Sequence, residues 1–303
     1  MSHIRRASEI AREEGVIEAG NTIKRELIGN LHYQLLKWKQ PKGYYLKNVQ
    51  GSKMYLAIND PGVSRDLIIR GMREREETRM IQKILRKGMI VIDIGANIGY
   101  YAMIEASLVT ESGQVYAIEP EPRNFELLQQ NIKLNNYHHV DAFQAGIGDK
   151  TGFAKLYVSE HSNLHNLLRP LHEKNDDSAI DVNVYRLDDF LRKNNIIPSN
   201  INFIRMDIEG YEVNAIAGMQ ETLRAAKRLN LFIEFHPGYI EDIAGYSLES
   251  TMKMLASLGF EIRYATATAQ NGYLIKFRNI TIKDFLMDKR VSRDNIFMTF
   301  LTT

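Results

Sequence analysis

The 303-residue chain contains no cysteine. Disulfides, thiolate metal sites and a cysteine nucleophile are thereby excluded, and a reducing compartment suits the composition. A strong charge of either sign is also missing: 39 Lys and Arg against 37 Asp and Glu leave a formal +2, too mild to argue for a nucleic-acid partner. Long apolar runs are absent as well. The opening MSHIRRASEIAREEG is charged where a signal peptide needs an apolar segment, and no stretch is long enough to span a bilayer. A soluble, cytoplasmic protein with no membrane span is expected. What is present is ordinary globular composition, 44% hydrophobic and 25% charged, enough for one large domain or a domain with an appendage.

The first 40 or so residues read as helical, broken near Gly20-Asn21, and GYYLKN and KMYLAIND flank VQGS like a hairpin. SRDLIIRGMREREETRMIQKILRKG reads as a helix stopped by Gly88. The basic run from Lys37 to Lys47 is read as a solvated face in preference to a binding patch. From Met89 the pattern changes. MIVIDIG is an unbroken apolar run, as expected of a parallel strand covered on both faces. Strands are then expected at QVYAIE, VDAFQAGIG, IDVNVYRL, NFIRMDIEG, LNLFIEFHP and FEIRYATA, with helices between them. Pro120 and Pro122 mark one helix start, and a polar stretch separates VDAFQAGIG from IDVNVYRL. NGYLIKFRN and NIFMTFL suggest a closing antiparallel pair around a short helix, IKDFLMD. The alternation is that of a doubly wound α/β sheet, Rossmann-like in layout.

In such sheets ligands sit beyond the carboxyl ends of the strands. After the first strand the turn reads Gly95-Ala96-Asn97-Ile98-Gly99, not the G-x-G-x-x-G of a dinucleotide fold, and Asp93 stands two residues before it. A carboxylate there would repel a diphosphate but suits a ligand with an ammonium and a sulfonium, as in S-adenosylmethionine. Glu119 ends the next strand 24 residues after Gly95, about where an acid that hydrogen-bonds a ribose belongs. The third strand should supply the adenine edge near Ala145 to Asp149, including Gly146.

VIDIGANIGYYA, AIEPEPRNFELLQQNIKLNN, YRLDDFL, FIRMDIEGYEVNAIAGM and FIEFHP follow one another in order and well spaced. This series resembles the FkbM-type family of S-adenosylmethionine-dependent methyltransferases, from about Glu74 to the C-terminus. The resemblance implies a class I fold with a seven-stranded, mostly parallel sheet. It also implies transfer to a hydroxyl of a sugar, glycan or secondary metabolite. Residues 1–73 are then a helical and hairpin extension, and 74–303 the methyltransferase domain. The cofactor site is assigned to Asp93, Gly95, Ala96, Asn97, Gly99, Tyr100, Glu119 and Gly146, with Asp207 at the methionine end or orienting the acceptor.

Methyl transfer to a hydroxyl needs an aligned acceptor and removal of a proton. Side chains alternate along a strand, so Asp207 and Glu209 can point one way, as can Glu234 and His236. His236 is the preferred general base, since its ordinary pKa lies near neutrality; a structural histidine held by an acid fits as well. Glu209 or Glu212 could instead cap the helix that follows. Asp207, Glu209 and Glu234 would suit a divalent cation, but no spacing demands one and none is expected. His161, His165 and His172 lie in a long polar loop, read as a mobile substrate loop in preference to a zinc site. Three rivals remain: a non-catalytic S-adenosylmethionine-binding module, a nicotinamide-dependent oxidoreductase and, ranked last because no NPPY-like motif follows the fourth strand, an amino-methylase of DNA.

Overall fold

The computed structural model describes residues 16–159, 161–162, 165–167, 179–226, 228–238, 247–268, 274–288 and 297–303. The chain opens with α1 (Val16–Lys39), a hairpin of β1 (Tyr44–Val49) and β2 (Ser52–Ala57), then α2 (Val63–Arg70) and α3 (Arg75–Ile84). Strands and helices next alternate through β3 (Ile90–Ile94), α4 (Tyr100–Val109), β4 (Gln114–Ile118), α5 (Pro122–Leu134) and β5 (Val140–Phe143). A side sheet follows, made of β6 (Gly146–Ile147), β7 (Gly152–Tyr157) and β8 (Ala179–Tyr185). The rest comprises α6 (Leu187–Lys193), β9 (Phe203–Met206), α7 (Glu212–Ala217), α8 (Gln220–Ala225), β10 (Asn230–Phe235), α9 (Leu248–Ser257), β11 (Glu261–Thr268), β12 (Leu274–Ile280), α10 (Ile282–Met287) and β13 (Phe297–Thr302).

The main sheet has the order β12-β11-β13-β10-β9-β3-β4-β5. From β10 to β5 all neighbours run parallel, and the far end is antiparallel. It is the expected doubly wound sheet, with an eighth strand where seven were expected: β12 pairs onto the outer edge of β11. The closing strands are not partners of each other, because β11 lies between β12 and β13. β8 leaves the main sheet and pairs with β7, a strand hidden in a stretch read as polar because its exposed face carries Lys155 and its burial is shallow. α1 runs through Gly20-Asn21 without a break, while the helix expected up to Gly88 divides at Gly71. The helix expected over 212–228 divides at Gly218, where a Cβ would lie 1.9 Å from the carbonyl oxygen of Gly148.

Alternation sorts the sheet into two faces. Ile92, Ile94, Ile204, Met206 and Ile233 pack into one core with α6 to α9. Val91, Val115, Phe203 and Phe232 face α4, and the same core takes in Met54, Leu56 and Leu67 of the hairpin and α2. The hairpin is tied down by Asn131 of α5, whose Oδ1 accepts from the Tyr55 amide at 2.7 Å. The chain reverses direction across the sheet between β3 and β9, and a crevice opens at their carboxyl ends. Among the described residues no helix is long and apolar enough to cross a membrane.

Candidate functional site

Gly95 turns the chain out of β3 at φ +82°, and a Cβ there would lie 2.1 Å from the backbone oxygen of Asp207. Only glycine allows this approach of the two strand ends. The amides of Gly95 and Ala96 both donate to Ile118 O, at 2.9 and 3.0 Å. The Asn97 amide donates to Glu119 Oε2, the Ile98 amide to Asn97 Oδ1, and the Gly99 amide to Ala96 O. Every N–H from 95 to 99 therefore has an internal partner. A pyrophosphate loop works by leaving such groups free to point at the ligand, so this turn is built for something else.

Glu119 is buried beneath the turn. Its Oε2 accepts from Asn97 N at 2.8 Å and its Oε1 from Glu121 N at 2.9 Å. The Asn124 side chain hydrogen-bonds the carboxylate as well. Burial pushes its pKa up to about 7 against the two backbone hydrogen bonds. Glu119 lines a crevice holding about 820 Å³ of empty space, solvent at the mouth included. One wall is apolar, formed by Ile118, Ala145, Ile147, Leu156 and Leu167. Gly95, Ala96, Asn97, Tyr100, Gly146, Asp207 and Glu209 also line it.

Asp93 and Gly99 do not. Asp93 is fully buried on the α4 side of the sheet, and its Oδ1 accepts from Arg205 Nη1 at 3.0 Å. The expected meeting of Asp93 with a cationic ligand is thus corrected: strand periodicity turns it to the same face as Val91, where its register neighbour across β9 is Arg205. Gly99, at φ +92°, is the residue before α4 and packs against Leu128. Arg205 reaches on to the crevice, donating from Nη2 to Asp207 Oδ2 at 2.9 Å while its guanidinium stacks 4.0 Å from the centre of the Tyr101 ring. Asp93 acts at one remove, through Arg205, on Asp207.

The polar strand ends meet as their alternation requires. Met206 pairs with Ile233, which sets Asp207 beside Glu234 and brings His236 to Glu209. His236 is 5% exposed, with Nδ1 at 2.9 Å from Glu212 Oε1 and Nε2 at 3.4 Å from Glu209 Oε2. Burial works to lower its pKa, but Glu212, Glu209 and Glu234 outweigh it and hold the group well above the usual histidine value. Carboxylates on both ring nitrogens favour the imidazolium, the wrong form for the general base expected of it. It also lies behind Glu209, outside the crevice lining. Glu209 lines the crevice at φ +54°, a strained conformation for a residue with a Cβ, and burial, with Asp207 and Glu212 against the opposing His236, pushes its pKa up to about 8. Glu234 is also raised well above the usual carboxylate value, by burial first and then by Asp207 and Glu74. Asp207, Glu209 and His236 each offer one ligand atom within 4.8 Å of the others. Such a set of two carboxylates and an imidazole could hold a divalent cation.

Arg73, Glu74, Tyr101 and Ser162 also line the crevice and were not anticipated. Glu74 Oε2 accepts from the Tyr101 hydroxyl at 2.7 Å and its Oε1 from Arg73 at 3.0 Å. Only Arg205 left a trace in the sequence, as a charge inside the strand FIRM. The polar loop does reach the crevice, through Ser162, His165 and Leu167. Its described part is anchored: Ser162 O accepts from Asn97 Nδ2 and Asn124 Nδ2, and Ser162 Oγ donates to Asp60. His165 Nδ1 accepts from the Ser159 amide, His161 is exposed, and His172 lies outside the described residues. Among the described residues these histidines gather no ligand set.

The raised carboxyls make stability depend on pH. Glu77 and Glu119, both about 7, and Glu209, about 8, bind protons more tightly folded than unfolded. Their contribution is complete below the ordinary glutamate pKa and is lost as pH climbs through 7 to 8. The melting temperature is expected to fall by several degrees from pH 6 to pH 9 in thermal melts; an unchanged value would show that these groups ionise as freely folded as unfolded.

The model of the methyltransferase FkbM domain matches residues 93–262, more than half of the chain. Methyltransferase 1 of Beauveria bassiana is 26% identical over 152 residues, 43% of this chain and 58% of that protein. The hexuronic acid methyltransferase AglP of Haloferax volcanii is 22% identical over 171 residues, 56% of this chain and 66% of that protein. The chain spans less than two thirds of the length of these curated relatives. A solved FkbM methyltransferase from Methylobacillus flagellatus superposes with a TM-score of 0.40 at 18% identity, over 78% of this chain and 52% of that one. The chain belongs to the FkbM family of methyltransferases, whose cofactor is S-adenosylmethionine.

Proposed function

We propose that the chain methylates a hydroxyl of a sugar, glycan or secondary metabolite, with Glu209 as the general base. The observation that carries this reading is Glu209 itself. It is a crevice-lining carboxylate just past the end of β9, its pKa pushed up to about 8, and it is backed by the buried His236 ring. A base is most effective when its pKa lies near the working pH. The hexuronic acid named for the AglP relative supports a sugar acceptor.

The crevice fits the cofactor. The apolar wall of Ile118, Ala145 and Ile147 suits an adenine, and Gly146 keeps that wall free of a further side chain. The carboxylate of Glu119, at the crevice wall, suits a ribose hydroxyl. Asp207, steered by Arg205, suits the ammonium of the methionine end. When bound, S-adenosylmethionine supplies an electrophilic methyl group. For their part, Glu209 accepts the hydroxyl proton and Glu212 orients His236, which steadies the ionised form of Glu209.

Calorimetry with S-adenosylmethionine, its demethylated product and oxidised nicotinamide dinucleotide is the first test. Binding of the first two alone is expected; binding of the dinucleotide alone would return the protein to the oxidoreductases. An acceptor screen beginning with uronic acids and other sugars then follows demethylated cofactor as product, and turnover without any hydroxyl acceptor would refute the acceptor class. Glu119→Ala is expected to weaken cofactor binding by about 1–3 kcal/mol, the range for lost hydrogen bonds to a charged group. Unchanged affinity in a variant that melts normally would remove Glu119 from the ribose.

A further inference from the structure

The face of α1 turned away from the protein is apolar. Glu26, Gly29 and Tyr33 form its inner face: Glu26 pairs with Arg70, and the Tyr33 hydroxyl donates to Ile58 O. A Cβ on Gly29 would lie 2.5 Å from Ile69 O, so α1 sits close against α2. Opposite them, Ile28, Leu31, Leu35 and Trp38 follow at spacings of three, four and three, which keeps them on one helical face. They are exposed at 59%, 65%, 49% and 80%. Solvent exposure of this kind, concentrated on one face, marks an interaction surface.

Charge identifies the occupant. No Asp or Glu occurs between Glu26 and Asp60, a stretch that carries five lysines. Lys47 turns inward, its Nζ donating to Leu67 O and Ile68 O at the end of α2. Lys37, Lys39, Lys42 and Lys53 are exposed, and Lys24 stands exposed at the other end of the stripe. Pairing two copies of α1 through this face would set its cations against one another: antiparallel helices bring Lys24 to Lys39, and parallel helices bring each to its like. An anionic surface has the opposite effect, since lysines at the margin of an apolar stripe snorkel to the headgroups while the stripe enters the acyl boundary. Tryptophan favours that same interface.

We propose that α1 docks the protein in the plane of an anionic bilayer, with Ile28, Leu31, Leu35 and Trp38 inserted and Lys24, Lys39 and Lys42 on the headgroups. The helix lies on the membrane and does not cross it. This face is separate from the crevice, so the proposal stands whether or not Glu209 is the base.

Trp38 is the only tryptophan in the chain, so its fluorescence reports this surface alone. The 303-residue chain is titrated with vesicles of phosphatidylcholine and with vesicles of equal parts phosphatidylcholine and phosphatidylglycerol, and sedimented with each. The expected result is a blue shift and co-sedimentation with the anionic vesicles, much weaker binding to the neutral ones, and release by added salt. The double variant Leu31→Glu with Leu35→Glu should stay in the supernatant. Should that variant fail to fold, Lys24→Glu with Lys39→Glu, which alters only exposed charge, should bind the anionic vesicles at least tenfold less well. An unshifted spectrum with protein left in the supernatant overturns the proposal. So does a blue shift that grows with protein concentration in the absence of lipid, which would assign the stripe to a second copy of the chain.

Discussion

Replacing Arg205 with leucine is expected to destabilise the protein by about 3–5 kcal/mol, the cost of removing one partner from a buried ion pair. The guanidinium is almost wholly buried and bridges Asp93, which is completely enclosed, to Asp207 at the crevice. Without it two carboxylates share a poorly solvated space with no cation between them. Burial already raises the Asp93 pKa against the pull of Arg205, so in the variant Asp93 would protonate. The loss should therefore be smaller at pH 5 than at pH 8 in urea titrations. Lysine should not rescue the position, because one ammonium cannot span two carboxylates as the guanidinium does. Adding Asp93→Asn to Arg205→Leu should recover part of the loss, since it removes the stranded charge. A loss below about 1 kcal/mol would place Arg205 with ordinary surface ion pairs, and Asp207 would then need another explanation for its position.

The same pair shows what a sequence can and cannot convey. β3 was legible because five consecutive apolar-flanked positions and a glycine turn leave little choice, and Glu119 was legible because an acid at the end of β4 has a fixed distance from that turn. The direction of Asp93 was equally determined by period two, but its partner lies 112 residues away on β9, and register between distant strands is not written in either strand alone. Glu74 and Arg73 reach the crevice from the segment before α3, where nothing in the local sequence signals a site. β7 was missed because a strand of a small side sheet buries little beyond Leu156 and so lacks the apolar run that marks a central strand. His236 illustrates a different limit. Its place at the end of β10 followed from the chain, yet its protonation state depends on Glu212 and Glu209 arriving from the turn after β9.

That protonation state decides the second large effect. Glu209→Gln is expected to lower kcat by about 10²–10⁴-fold, the usual contribution of a general base, with cofactor affinity little changed because the amide keeps the side chain's shape. In the parent protein the rate should rise with pH through about 8, as Glu209 loses its proton, and the glutamine variant should lose that rise. His236→Gln separates the two candidates for the base. His236 lowers the Glu209 pKa, so removing its charge should move the rise to higher pH while leaving the plateau rate largely intact once Glu209 is ionised. If His236 were itself the base, its removal would abolish the rise and Glu209→Gln would retain one. A plateau rate that falls in both variants to the same extent, and no further in the double variant, would mean that the proton passes along Glu209 and His236 as a single unit, because residues acting together lose their effect only once.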